Sequence, residues 1–142
     1  MQVKQLSIMI DPRPERLAEL MNDLVVHQIE LHHLTITNDA NYTIFKGLAP
    51  DSRKALKVLQ DAGYTAFLKD VLAVGVVQGY DSLVRSLSAL AEKDILVEYC
   101  SWVFNPSVGP FLLMVVKDLP AAQTALVEAG YRILSEAVLC QQ

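Results

Sequence analysis

Apolar and polar positions along this chain follow two alternating periods, and the order of those periods repeats. Leu6, Ile8 and Ile10 keep the two-residue period of a half-buried strand, and Leu72, Val74 and Val76 keep it 66 positions later. Leu17, Met21, Leu24 and Val25 then recur at helical spacing, matched at the same offset by Leu83, Leu87, Leu90 and Ala91. Ile29 and Ile95 follow, each opening a further strand. Downstream the offset becomes 67: Ala55, Val58, Leu59 and Ala62 correspond to Ala122, Ala125, Leu126 and Ala129. Both sets mark one apolar helix face at i, i+3, i+4, i+7. One extra residue in the second hairpin accounts for the change, since Asn105-Pro106-Ser107-Val108-Gly109 is longer than Asn38-Asp39-Ala40-Asn41.

Helix ends repeat as well. Asp51 and Asp118 stand where a carboxylate can accept from the exposed N–H groups of a first turn. Gly63 and Gly130, each followed by tyrosine, stand where a chain leaving a helix turns left-handed. The pattern predicts strands near 4–10, 30–37, 42–48 and 64–71, with helices near 14–28 and 51–62. It then predicts strands near 72–77, 96–104, 110–117 and 131–139, with helices near 81–94 and 119–129. Each half reads β-α-β-β-α-β, so the fold class is α+β: two tandem ferredoxin-like βαββαβ modules with antiparallel sheets, residues 1–70 and 71–142. Val71 runs straight into Leu72, and the absence of a linker predicts modules that pack rigidly.

The element order, the module length and the tandem arrangement resemble ACT domains. KQLSIMI, a proline-containing loop and RLAEL look like the opening of a tandem ACT protein, and VLAVGVVQGYDSLVRSL looks like a second opening. The resemblance spans essentially the whole chain and points to stand-alone two-ACT amino-acid-binding proteins. It implies an amino acid bound where modules meet, with the loop after the first strand as one wall and the start of a neighbouring second strand as the other. On this chain those walls are Asp11, Arg13, Pro14, Glu15, Arg16 and Leu17, facing Glu98, Tyr99, Cys100 and Ser101. The equivalent second site would use Gly79 and Asp81, facing His32 and His33. The family loop usually ends in Pro-Gly before a leucine. Here Pro14 and Leu17 are kept while Glu15 takes the place of glycine, and the second loop, Tyr80-Asp81-Ser82-Leu83, keeps only the leucine. Glycine lets a ligand carboxylate approach the N–H groups that open the helix, whereas an acidic side chain adds bulk and competes for them.

Composition narrows the choice. Hydrophobic residues make up 52% of the chain, more than two small modules need internally, which predicts a subunit interface and a homodimer. A net charge of −4 lacks the basic patch that a nucleic-acid binder needs. RNA-recognition modules of the same element order expose aromatics on their central strands, and LSIMI and LAVGV carry none. No apolar run approaches the ~18 residues that span a bilayer, and the first residues do not read as a signal peptide. Cys100 and Cys140 form no CxxC pair and read as free thiols of a cytoplasmic protein.

Candidate chemistry is sparse. Loop 11–16 carries both charge signs, so Arg13 or Arg16 could hold a carboxylate while Asp11 or Glu15 receives an ammonium. The same residues also read as a plain helix start, with Asp11 as cap, Pro14 in the first turn and Glu15 facing the dipole. His32 and His33 are adjacent on an expected strand, so they should point to opposite faces and not share a metal. Alternation sends Tyr99 and Ser101 to one face, and Glu98, Cys100 and Trp102 to the other. No nucleophile–base pair, phosphate loop or metal-ligand spacing stands out, and no cofactor is expected. These features predict a regulatory protein that binds a small molecule, an amino acid by resemblance, and is not an enzyme. The rival reading is an oligomerisation or partner-binding module that kept the fold without the ligand.

Overall fold

In the computed structural model, which describes residues 3–76 and 79–140, the two periods become strands and helices in the order they occur in the sequence. The first half forms β1 (Val3–Ile10), α1 (Pro14–Val26), β2 (His32–Asn38), β3 (Thr43–Leu48), α2 (Ser52–Asp61) and β4 (Thr65–Gly75). The second forms α3 (Gly79–Glu92), β5 (Val97–Asn105), β6 (Gly109–Val116), α4 (Leu119–Glu128), β7 (Arg132–Ile133) and α5 (Glu136–Leu139). The described residues divide into two units: Lys4–Lys69, and Val3 together with those from Asp70 onward. No helix among them is long and apolar enough to cross a membrane.

In the first unit β3 lies antiparallel between β1 and β2, and β4 is the other neighbour of β1. In the second, the order β5-β6-β4-β7 is antiparallel throughout. The register repeats with the sequence: Ile8 sits opposite Phe45, and Val74 opposite Leu112. The two cores repeat too. Leu6, Ile8, Ile10, Leu24, Ala55 and Leu59 pack in one, and Leu72, Val74, Val76, Leu90, Ala122 and Leu126 pack in the other. Each core therefore lies between one face of its sheet and two helices, as apolar stripes of period 2 and period 3.6 require.

All four long helices end alike. Tyr64 N–H reaches back to Leu59 O at 3.0 Å, and Tyr131 N–H to Leu126 O at 2.9 Å, across Gly63 and Gly130 at φ +93° and +91°. Gln28 and Asp94 hold the left-handed position at the ends of α1 and α3, with φ 57° and 56° and bonds from Ile29 N–H to Leu24 O and from Ile95 N–H to Leu90 O. At the helix starts, Asp51 accepts from Lys54 N–H at 3.2 Å and Asp118 from Ala121 N–H at 3.1 Å.

Five expectations need correction. The strands expected near 64–71 and 72–77 are one strand, β4, because nothing between Asp70 and Ala73 breaks extended backbone; Val77 lies outside the described residues. The strand expected near 131–139 is only β7. Leu134 N–H still bonds Ala73 O at 2.8 Å, but Ser135-Glu136 then starts the short helix α5, whose Leu139 is buried. A serine followed by an acid is a helix-start signal, and it prevails over weak alternation. The residue before α1 is Arg13, not Asp11, because Pro14 occupies the first helical position and fixes where the helix begins. The buried face of α1 runs through Leu20 and Leu24, leaving Met21 and Val25 exposed: its apolar stripe is wider than the sheet beneath it. Finally, His32 and His33 do not alternate cleanly. β2 carries an extra residue between His32 and Thr35, His33 turns to φ 56°, and the two rings lie 6.3 Å apart. Gly47 makes room for this bulge, since a Cβ there would come within 2.9 Å of Leu34.

Candidate ligand-binding clefts

Each unit carries a cleft at the same end, where β1 or β4 finishes, the next helix begins and the chain re-enters the sheet. The cleft of the first unit has a volume of about 450 Å³, and its walls include Ile10, Asp11, Arg16, Tyr42, Gly63 and Tyr64. The cleft of the second unit has about 810 Å³, and its walls include Val76, Ser82, Pro110, Gly130 and Tyr131. These are repeat-equivalent positions: Ile10 and Arg16 become Val76 and Ser82 at offset 66, and Gly63-Tyr64 becomes Gly130-Tyr131 at offset 67. The conformational signal that ends the helix thus also positions a tyrosine beside the cleft.

In the first cleft the polar side chains engage one another. Arg16 pairs with Glu19 and places its guanidinium 5.4 Å from the centre of the Tyr64 ring. The Tyr64 hydroxyl donates to Asp23 Oδ2. Burial first, then the bond to Asp23 and its charge, push Tyr64 up to about 12. Pairing with Glu19 raises Arg16 as well, so that cation stays charged. In the second cleft Ser82 replaces Arg16, and Tyr131 donates to the Ser82 carbonyl at 2.7 Å. Arg85, Ala89 and Arg132 stand where the first unit has Glu19, Asp23 and Thr65. Neither Arg85 nor Arg132 has an ion-pair partner among the described residues, and Glu92 supplies a carboxylate in the same wall.

Of the residues the sequence nominated, Asp11 and Arg16 line the first cleft. Arg13 sits outside it, 3.4 Å from both Asp11 and Glu15, so the exposed loop neutralises itself. Pro14 opens α1, and Leu17 packs against the core. In the second unit Gly79 opens α3, with Asp81 exposed in its first turn. On β5, Glu98 and Cys100 face solvent while Tyr99 and Ser101 are half-buried, as alternation predicts. Desolvation by its surroundings raises the Cys100 thiol, the opposite of what an activated nucleophile needs. His32 is half-buried with Nε2 3.4 Å from Glu30 Oε1. Among the described residues no three His, Cys, Asp or Glu side chains are placed to hold a metal ion.

Sequence reasoning missed Tyr64, Tyr131, Arg85 and Arg132. The repeat held a signal for them. The tyrosines are conspicuous as repeated polar-tipped residues after the glycines, and the arginines as positions where the two halves differ in charge.

A family model described as an ACT domain pair matches residues 1–136. No curated protein matches the chain. A crystal structure of a Bacteroides thetaiotaomicron protein aligns with a TM-score of 0.89 and 25% identity, covering 100% of this chain and 98% of that one. The ligand-free regulatory subunit of aspartate kinase from Thermus thermophilus aligns with a TM-score of 0.60 and 15% identity, over 91% and 93% of the two chains. The corresponding subunit from Thermus flavus gives 0.61 and 16%, over 92% of each.

Proposed function

The chain belongs to the ACT domain-pair family, and from that premise we propose that it is a non-catalytic regulatory protein that binds an amino acid. ACT domains are regulatory modules that generally bind small molecules. The observation that carries the reading to this chain is the cleft repeated at equivalent places in both units, which in the second unit carries both charge signs in its walls. An amino acid carries both a carboxylate and an ammonium, and such walls can meet both. The Thermus neighbours make the regulatory use of this fold concrete, since each is a regulatory subunit of aspartate kinase. The modules are residues 1–70 and 71–142. Ligand acts by population shift, favouring one assembly or partner-bound state over another.

The loop 11–17 remains a second contact surface in this reading, with Glu15 as its discriminating residue. Glu15→Gly strengthens carboxylate binding there if Glu15 blocks the helix start, and weakens it if Glu15 grips an ammonium. Two free cysteines fit a cytoplasmic setting.

A thermal-shift screen of the wild-type protein against the twenty amino acids tests the proposal. At a hundred times Kd a ligand adds about 2.7 kcal/mol. A clear rise in Tm with at least one amino acid is expected, and no rise with any at 10 mM or so rejects it.

A specific observation also favours oligomerisation. In the second unit Tyr80 (76% exposed), Val84 and Leu87 are exposed on α3, and Trp102 and Phe104 (68% exposed) on β5, with Tyr80 edge-on to Trp102 at 5.5 Å. In the first unit Met21, Val25, Leu34 and Ile36 are exposed on the equivalent elements. Exposed apolar side chains clustered in this way mark interaction surfaces, and we expect a homodimer. Sedimentation at tens of micromolar checks it, and a clean monomer counts against it.

A further inference from the structure

The geometry points to the second unit's cleft as a site for an acidic amino acid, its two carboxylates held by Arg85 and Arg132 and its ammonium by Glu92. This deepens the amino-acid reading above and rests on it. Three observations within the one unit converge. The cleft is nearly twice the volume of its first-unit equivalent, about 810 against 450 Å³. It is larger where Ser82 and Ala89 stand in place of Arg16 and Asp23, the two side chains that engage Tyr64 in the first unit. Its walls carry two arginines and one glutamate, a net positive site in a chain whose charge is −4.

The arrangement selects among anions. Arg85 and Glu92 are seven residues apart on α3, about 10.5 Å along the helix, so they address opposite ends of a short ligand. Arg132 approaches from the strand side, its Nε 3.8 Å from where a Cβ on Gly75 would be. A guanidinium binds a carboxylate through two parallel N–H···O bonds, and with no ion pair to break among the described residues, neither arginine must give up such a partner first. A neutral amino acid would use only one arginine. A dicarboxylate without an amine would leave Glu92 facing added negative charge.

Calorimetry on the full chain with L-aspartate, L-glutamate, L-glutamine and succinate tests this. Saturable binding of L-aspartate or L-glutamate is expected, weakened tenfold or more by Arg85→Ala and by Arg132→Ala and unchanged by Lys57→Ala. Both arginines are exposed, so the variants should fold, and their Tm without ligand verifies it. Binding of neither acidic amino acid, or binding unaffected in both arginine variants, overturns the assignment. So does succinate binding as tightly as L-aspartate with Glu92→Gln neutral. If a neutral amino acid raises Tm while the acidic ones do not bind, this inference falls and the broader reading stands. If no amino acid binds at all, both fall.

Discussion

The two end clefts are built from one repeated framework and differ in a few side chains. In the first unit Arg16, Glu19, Tyr64 and Asp23 satisfy one another across the opening. In the second, the equivalent places hold Ser82, Arg85, Tyr131 and Ala89; only the tyrosine persists, and it turns to a backbone carbonyl. The difference teaches that a repeated fold can keep its backbone register while one unit neutralises its charges internally and the other leaves its two arginines without an ion pair among the described residues. The cores show what did not diverge. Leu24 and Leu90 are 5% and 1% exposed at matching positions.

The strongest test of that shared framework is to truncate both leucines. Leu24→Ala and Leu90→Ala should each cost about 2–5 kcal/mol in denaturant unfolding. A cost confined to one of them would show that the cores are not equivalent supports.

Next in size is the tyrosine pair. Tyr64→Phe removes a bond to a carboxylate and should cost about 1.5–3 kcal/mol, whereas Tyr131→Phe loses a bond to a neutral carbonyl, about 0.5–1.5 kcal/mol. The first carries a pH signature. Tyr64 ionises near 12 in the folded chain and near 10 when unfolded, so the folded state holds its proton longer. The stability it contributes is present below pH 10 and is lost as pH rises from 10 to 12. Tyr64→Phe should flatten that part of the alkaline decline. Equal slopes in wild type and variant would place the hydroxyl in water.

Smaller again are the caps. Asp51→Ala and Asp118→Ala should each cost about 1 kcal/mol, because each removes one side-chain acceptor from a first turn. A large inequality would mean that the helix starts are held differently in the two units.

The smallest effect is expected at the loop of the first unit. Arg13→Ala breaks two exposed contacts of 3.4 Å and should shift stability by less than about 0.5 kcal/mol. A larger loss would give that loop a structural role that the geometry does not assign to it.

The sequence by itself determined most of the framework. Periods of 2 and 3.6 depend on which side chains must leave water, so Ile8 and Val74, or Leu59 and Leu126, can be assigned to a core without knowing what they touch. Caps at Asp51 and Asp118 and left-handed turns at Gly63 and Gly130 are equally local, and they too were legible. Tertiary structure decided whatever required distant residues to meet. Alternation could not reveal that β2 bulges at His33 over Gly47, because the bulge is set by pairing with β3. Apolar spacing could not separate Leu20 from Met21 on α1, since both fit a helical stripe and only the sheet beneath selects one. The charges of loop 11–16 are adjacent in sequence and so read as a candidate site, yet in space Arg13 is neutralised by its neighbours. Arg85 and Arg132 are 47 positions apart and carry no local motif. Only folding brings them into one cleft, because α3 and the turn from α4 into β7 are both packed against the same end of one sheet.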